Sequence, residues 1–217
     1  MSQDERRDPD EVRDFFEFTD GLTAFLMLYE FGLDEMLTKI NILRRELTHA
    51  GGGDSPIEHV SHRLKRPASI AEKAQRIGCG PSIEEVRGKV FDIAGIRIVC
   101  SFVGDAYTVL EMLKRQPDVT VVQVKDYIAN PKPSGYKSLH LIVDVPVFLS
   151  ERTEQVRVEV QIRTVAMDFW ASLEHKIHYK YHREVPAKLR MELAGVAAAT
   201  ERLDQQMEQL HRESRQT

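Results

Sequence analysis

The chain has 217 residues and a mass of 24.9 kDa, with 42% hydrophobic and 29% charged side chains, 12 Gly and 9 Pro. That balance excludes collagen, wholesale disorder and low-complexity scaffolds, and no apolar run approaches the ~20 residues a bilayer span needs. The formal net charge of -4 is local, because eight acids against three bases in the first twenty residues give -5 and leave the remainder at +1.

The acidic start is expected to fray, and it is the opposite of a basic signal-peptide start. Cys79 and Cys100 form neither a CxxC pair nor a disulfide framework, so they are expected to be reduced thiols of a cytoplasmic protein. Residues 15–50 are apolar at helical spacing, most clearly at Leu33, Met36, Ile40, Leu43 and Leu47, which predicts a long helix with one apolar stripe. Gly51-Gly52-Gly53-Asp54-Ser55-Pro56 ends it and sets a helical arm apart from the middle of the chain. A second helix is predicted from near Ser69 to Ile77, and Ser82 with Glu85 has the capping-box spacing for a short third one.

From Ile93 the period changes to two. Ile96, Ile98, Cys100 and Phe102 alternate with Arg97, Val99 and Ser101, which predicts a strand; a helix near Asp105 to Gln116 and a β-branched run from Val119 to Val124 follow. After a loop with Pro131 and Pro133, Leu139, Leu141, Val143 and Val145 alternate with Ser138, His140, Ile142 and Asp144. Another strand carries Val156, Val158, Val160 and Ile162 on one face and Arg157, Glu159, Gln161 and Arg163 on the other. Such a sheet has one dry face and one chemical face. A helix opening near Thr164 is expected to bury Met167, Trp170, Leu173 and Ile177. Beyond Pro186, Leu189, Leu193, Val196, Thr200, Leu203, Met207 and Leu210 predict a long final helix with a near-heptad stripe. The fold class is therefore α/β, a mixed sheet flanked by helices with N- and C-terminal helical arms, divided into residues 1–57, 58–185 and 186–217.

Four groups could do chemistry. Arg63, Lys65, Arg66, Lys73 and Arg76 make residues 57–76 net +3, and Ser69, Lys73 and Arg76 share a helix face, with Arg63 and Lys65 supplied by a preceding loop. Converging cations and a hydroxyl suit a polyphosphate, although a solvated charged face is the commoner use of such a run. On Arg157, Glu159, Gln161 and Arg163, a carboxylate among an amide and two guanidinium groups suits a divalent ion and phosphate oxygens, while polar alternation is also ordinary on half-exposed strands. Asp92 could share Mg²⁺ with Glu159, or simply cap a turn. In the loop 125–140, two prolines, Gly135, the flat ring of Tyr136 and Lys125, Lys132 and Lys137 offer a stiff, basic, aromatic platform for a nucleotide, or an ordinary surface turn. The sequence has no GxxxxGK[ST], GxGxxG, HExxH or GxSxG motif, which removes the commonest nucleotide, zinc and serine-hydrolase frameworks.

Taken in order, Arg63-Leu64-Lys65 with Ser69-Ile70 and Lys73, Asp92-Ile93-Ala94-Gly95-Ile96-Arg97, the run from Asn130 through Gly135-Tyr136-Lys137-Ser138-Leu139-His140, Glu159-Val160-Gln161-Ile162-Arg163-Thr164 and Asp168-Phe169-Trp170-Ala171-Ser172-Leu173-Glu174-His175-Lys176 resemble the synthetase domain of the RelA/SpoT alarmone enzymes. The likeness spans about residues 58–180, and the short chain is similar to a stand-alone small alarmone synthetase. It implies a nucleotidyltransferase-like sheet and a GTP pyrophosphokinase that moves the β,γ-pyrophosphate of ATP to the 3′-hydroxyl of GTP or GDP. By that resemblance Arg63 and Arg97 sandwich the adenine, and Lys65, Ser69, Lys73 and Arg76 hold the ATP phosphates. Asp92 and Glu159 bind Mg²⁺, with Glu159 as general base; Tyr136 stacks on guanine; and Lys132, His140, Gln161 and Arg163 orient the acceptor. No His is followed by Asp, so the hydrolase half of the long enzymes is not expected and the chain should synthesise only. The resemblance also implies a homotetramer, through the C-terminal helix, and leaves room for a (p)ppGpp or RNA effector, for which His59 and Ser61 stand at a candidate contact. The alternative is a nucleotide- or RNA-binding regulator on the same fold, and the arms alone would also suit a helical adaptor.

Overall fold

The computed structural model describes residues 9–51, 55–80, 82–181 and 186–214, with side chains described from residue 21 onward except at 178–180. Residues 1–8 of the acidic start and residues 52–54 of the glycine break lie outside the described residues, while residues 9–20 of that start are helical rather than frayed. In chain order the elements are α1 (Pro9–Ala50), β1 (Ile57–Leu64), α2 (Pro67–Arg76), α3 (Ile83–Lys89), β2 (Ala94–Cys100), α4 (Val103–Lys114), β3 (Thr120–Asp126), β4 (Leu139–Phe148), β5 (Thr153–Thr164), α5 (Val165–Lys180) and α6 (Ala187–Ser214).

The strands form one mixed sheet in the order β1-β2-β5-β4-β3, in which only the central β2–β5 pair is parallel. Period-two alternation puts Ala94, Ile96, Ile98, Leu141, Val143, Val158, Val160 and Ile162 on one face, all buried, and α1 and α4 cover them. The stripe Phe25, Tyr29, Leu33, Met36 and Ile40 of α1 and the set Ala106, Val109, Leu110 and Leu113 of α4 complete that core. Met36 is 0% exposed, so truncating it to Ala would cost about 2–5 kcal/mol. Helix and sheet approach closely where α1 crosses β5: a Cβ on Gly32 would lie 2.5 Å from a Val156 methyl, so only glycine fits there.

Two further expectations change. Ile57–Leu64 is a strand, so Arg63 stands on the edge of the sheet and not in a loop; its exposed residues carry no apolar alternation that would announce β structure. Leu173 and Ile177 are half-buried, whereas Met167 and Trp170 are buried as expected. The packed face of α6 is a finding of its own. Of its near-heptad stripe, Leu193 is buried against the domain, while Val196, Leu203, Met207 and Leu210 are exposed. The helix docks through the neighbouring, more polar face: the Trp170 indole donates to the Leu193 carbonyl at 3.1 Å, Thr164 donates to the buried Asp204 at 3.0 Å, the Gly104 amide donates to Glu208 at 3.2 Å, and His211 stacks on Phe102 with centroids 4.0 Å apart. No helix among the described residues is long and apolar enough to cross a membrane.

Candidate active site

The second face of the sheet carries the chemistry because residues paired across strands share a face. Arg63 pairs with Gly95, Gly95 with Glu159, Arg97 with Gln161, and Gln161 with His140, so four strands deliver their polar side chains to one side. Ser61, His62, Arg63, Gly95, Ile96, Arg97, Glu159 and Gln161 line a cleft of ≈ 200 Å³ there. Arg63 lies over Gly95, whose missing side chain leaves that floor open.

At one end of this face sits Asp92. The β1–β2 pairing continues into the Lys65 amide donating to the Ile93 carbonyl at 2.8 Å, which sets Lys65 beside Asp92, and α2 brings Lys73 from above. The two ammonium groups donate to separate oxygens, Lys65 to Oδ2 at 2.7 Å and Lys73 to Oδ1 at 2.6 Å. Burial pushes the Asp92 carboxyl up, but these two cations outweigh it and hold it below the usual carboxylate range.

Glu159 belongs to a closed ring of side chains. Its Oε1 faces His140 Nδ1 at 3.1 Å, and its Oε2 accepts from Gln161 Nε2 at 2.9 Å. Gln161 Oε1 accepts from Arg163 at 2.7 Å, Arg163 also donates to the Tyr136 hydroxyl at 2.7 Å, and that hydroxyl meets His140 Nε2 at 2.7 Å. Every donor in the ring meets an acceptor if the imidazole is neutral with its proton on Nδ1; that tautomer is assigned from the network. Burial raises the Glu159 carboxyl, yet His140 and Gln161 bring it below its ordinary value, and Asp92 is near enough for its charge to push the other way. Both carboxylates are therefore ionised at neutral pH.

Lys132, Tyr136, His140, Gln161 and Arg163 are thus one cluster. Tyr136 is buried, and its ring faces are taken: Lys132 Nζ lies 4.8 Å from the ring centroid and equally far from that of Tyr127, and the Arg163 guanidinium carbon is 5.2 Å away. Ser69 and Arg76, which flank Lys73 on α2, do not line the cleft. Arg157 is committed elsewhere, to a two-point ion pair with Asp144 at 2.8 and 2.9 Å and to the face of Phe91.

Two residues at the site carry no role in the sequence reading. Asp168, in the first turn of α5, accepts from Arg163 at 3.1 Å and pairs with Arg97 at 3.2 Å. Tyr127 packs edge-on against Tyr136 and His140. Position four residues past the N-cap Thr164, just beyond a strand bearing Arg163, was the available signal for Asp168.

Among the described residues no group of three or more His, Cys, Asp or Glu side chains converges as a metal centre. The electrostatically coupled pair Asp92 and Glu159 nevertheless fits Mg²⁺, which takes one or two carboxylates and draws its other ligands from phosphates and water.

Comparison with known proteins places the chain in a family. The region found in RelA/SpoT proteins matches residues 62–184. The chain is 49% identical over 184 residues to GTP pyrophosphokinase YwaC of Bacillus subtilis, an alignment covering 84% of this chain and 86% of that protein. The crystal structure of small alarmone synthetase 1 from Bacillus subtilis bound to its product pppGpp superposes with a TM-score of 0.82 at 41% identity, covering 89% of this chain and 97% of that one. The same synthetase bound to AMPCPP gives a TM-score of 0.77 at 36% identity over 91% and 100% of the two chains. With a diagnostic region, close sequence identity and an architecture in common, the chain belongs to the RelA/SpoT family, among its small alarmone synthetases.

Proposed function

We propose that the chain is a GTP pyrophosphokinase that transfers the β,γ-pyrophosphate of ATP to the 3′-hydroxyl of GTP or GDP, releasing AMP. One arrangement carries the reading: two ionised carboxylates, Asp92 gripped by two lysines and Glu159 by His140 and Gln161, beside a cleft whose other charged walls, Arg63 and Arg97, are cationic. The pppGpp and AMPCPP bound to small alarmone synthetase 1 support it.

In this reading Arg63 and Arg97 lay their flat guanidinium groups against the adenine. Lys65 and Lys73 exchange Asp92 for the triphosphate of the donor, which Ser69 and Arg76, on either side of Lys73 on α2, also contact. Guanine stacks on Tyr136 once Lys132 leaves the ring, and Lys132, His140, Gln161 and Arg163 orient the acceptor. Each Glu159 oxygen spends one lone pair on its present donor and keeps another, so the carboxylate can take the proton of the ribose hydroxyl. The ribose oxygen then bonds to the β-phosphorus, the bond from that phosphorus to the α-phosphate oxygen breaks, and AMP departs with its electron pair. Asp92 and Glu159 would hold Mg²⁺, which when bound neutralises phosphate charge. The chain's own share is alignment and electrostatics, which dominate the catalysis of phosphoryl-group transfer.

The same reading includes synthesis without hydrolysis, since no His-Asp dipeptide occurs in the sequence, and a homotetramer assembled through the exposed stripe of α6. Incubation of the purified protein with labelled ATP, GTP and Mg²⁺ is expected to yield AMP and a pyrophosphorylated guanosine. Nucleotide binding without those products would favour the regulator instead.

A further inference from the structure

Arg97 and Arg163 project from neighbouring strands toward the same side of the sheet. Val99 separates them in register, since Arg97 pairs with Gln161 and Val99 with Arg163. Like charges this close repel. Burial lowers the Arg97 guanidinium from its ordinary value, and Arg163 and Arg63 lower it further, whereas Asp168 raises it. A single carboxylate oxygen, Oδ1 of Asp168, meets both guanidinium groups, at 3.2 Å from Arg97 and 3.1 Å from Arg163.

The two arginines serve different halves of the site. Arg97 lines the cleft on the donor side, while Arg163 belongs to the ring that reaches Tyr136 and Gln161. Arg163 is fully engaged, with its Nε on Ser138 at 3.4 Å and its terminal nitrogens on Tyr136, Gln161 and Asp168. Arg97 is anchored far more sparsely: its Nε is buried without a hydrogen-bond partner among the described residues, and Asp168 is the acid that pairs with it. An arginine held by one edge keeps both flat faces free for stacking, but its plane is only as well fixed as that one anchor.

The anchor is itself rigidly placed. Thr164 accepts from the Met167 amide at 3.1 Å and donates to the buried Asp204, which fixes the start of α5 and therefore the turn that carries Asp168. A negative charge in the first turn of a helix is also favoured by the helix dipole.

We infer that Asp168 is a positioning residue shared by the two substrate sites, holding Arg97 flat for the donor base and Arg163 in the acceptor ring by serving as the common counter-charge. The inference rests on the proposed reaction and adds a residue to it. Asp168 touches neither nucleotide; it acts through the two guanidinium groups.

The test compares steady-state kinetics and melting temperature of the wild-type protein with Asp168→Asn, or Asp168→Ser if the amide variant does not fold, and with Asp168→Glu. Loss of the shared charge is expected to raise KM for ATP and for the guanosine acceptor together, each about tenfold or more, because a charge-assisted contact is lost on each side. kcat should change much less. Asp168→Glu should recover most of both affinities. A merely structural role would lower the active fraction, and so kcat, with both KM values unchanged, and that result overturns the inference. In an Arg97→Ala background, removing Asp168 should add nothing to the ATP KM; additive losses would equally overturn it. If the wild-type protein makes no pyrophosphorylated guanosine, the reaction reading fails, and the same variants are then read by titration with a non-hydrolysable ATP analogue. Unchanged affinity there sinks the role of Asp168 by itself.

Discussion

His140 and Glu159 are joined Nδ1 to Oε1 at 3.1 Å, and the other imidazole nitrogen reaches the Tyr136 hydroxyl at 2.7 Å, so the carboxylate is aligned by a group that is itself aligned. His140 is also a cause of the lowered Glu159 carboxyl. Removing it in His140→Ala should let that carboxyl rise, shifting the acid limb of the pH–rate profile to higher pH, with kcat down about tenfold at neutral pH. His140→Asn, whose amide can stand where Nδ1–H stands, should lose less. The proposed role of Glu159 as base is tested by Glu159→Gln, expected to cost about 10²–10⁴ in kcat without lowering the melting temperature. Equal pH limbs in all these variants would separate His140 from the acid–base step.

Asp92 neutralises two lysines. Its folded-state carboxyl is depressed, so the stability it contributes is present above the ordinary carboxylate range and is lost as pH falls through the depressed value. Asp92→Ala leaves Lys65 and Lys73 facing one another and should destabilise the fold by about 1–3 kcal/mol at neutral pH. Thermal melts of the two proteins should converge as the pH drops below the ordinary carboxylate range. A gap that does not narrow as the pH falls through and below the ordinary carboxylate range would refute the assignment.

Gly135 adopts φ +88°, and a Cβ there would lie 2.5 Å from the Ala197 methyl on α6. Gly135→Ala therefore meets a backbone penalty and a clash, about 1–3 kcal/mol together, and should displace the loop that bears Tyr136. Adding Ala197→Gly removes the clash but not the backbone strain, so the double variant should regain part of the lost activity and stability, as read by melting and by KM for the acceptor.

Asp204 is buried against Thr164, and burial raises its carboxyl, with Thr164 and Lys137 only partly opposing. A raised carboxyl costs stability above its folded value, and the cost is relieved as pH falls through that value. Asp204→Asn keeps an acceptor for Thr164 and removes the buried charge. It should raise the melting temperature at neutral pH by about 2–4 °C for each kcal/mol relieved, with the gain shrinking in acid.

Val196, Leu203, Met207 and Leu210 make an exposed apolar stripe on α6, unusual for a surface helix unless another surface covers it. Leu203→Glu with Met207→Glu should reduce the mass measured by light scattering from that of an assembly to that of one chain. An unchanged mass would end the role of this stripe in assembly.

The core of this site was legible where its strands keep period two: Glu159 and Gln161 stand out because Val158, Val160 and Ile162 on the same strand are buried on its other face. Lys65, Lys73 and Asp92 were legible as charges, though not as a mutual grip, which depends on α2 returning over the β1–β2 pair. β1 escaped because an edge strand exposed along most of its length shows no apolar rhythm. The closed ring from Arg163 to Glu159 escaped because it depends on cross-strand register, and the service of Asp168 to Arg97 depends on a helix start meeting a strand from a distant part of the sequence. The inner face of α6 escaped because it docks through Asp204, Glu208 and His211, side chains that read as solvent-facing.

That inner face makes truncation a poor way to ask what the last helix does. Cutting the chain at Pro186 would strip away the outward stripe, and in the same stroke orphan Lys137 of its Glu201 partner at 2.6 Å, unseat Trp170 and unplug the hydroxyl that starts α5. A shortened protein that came out as inactive single chains would have lost the support of its Tyr136 loop and any neighbours together, and surface substitutions alone can tell the two losses apart.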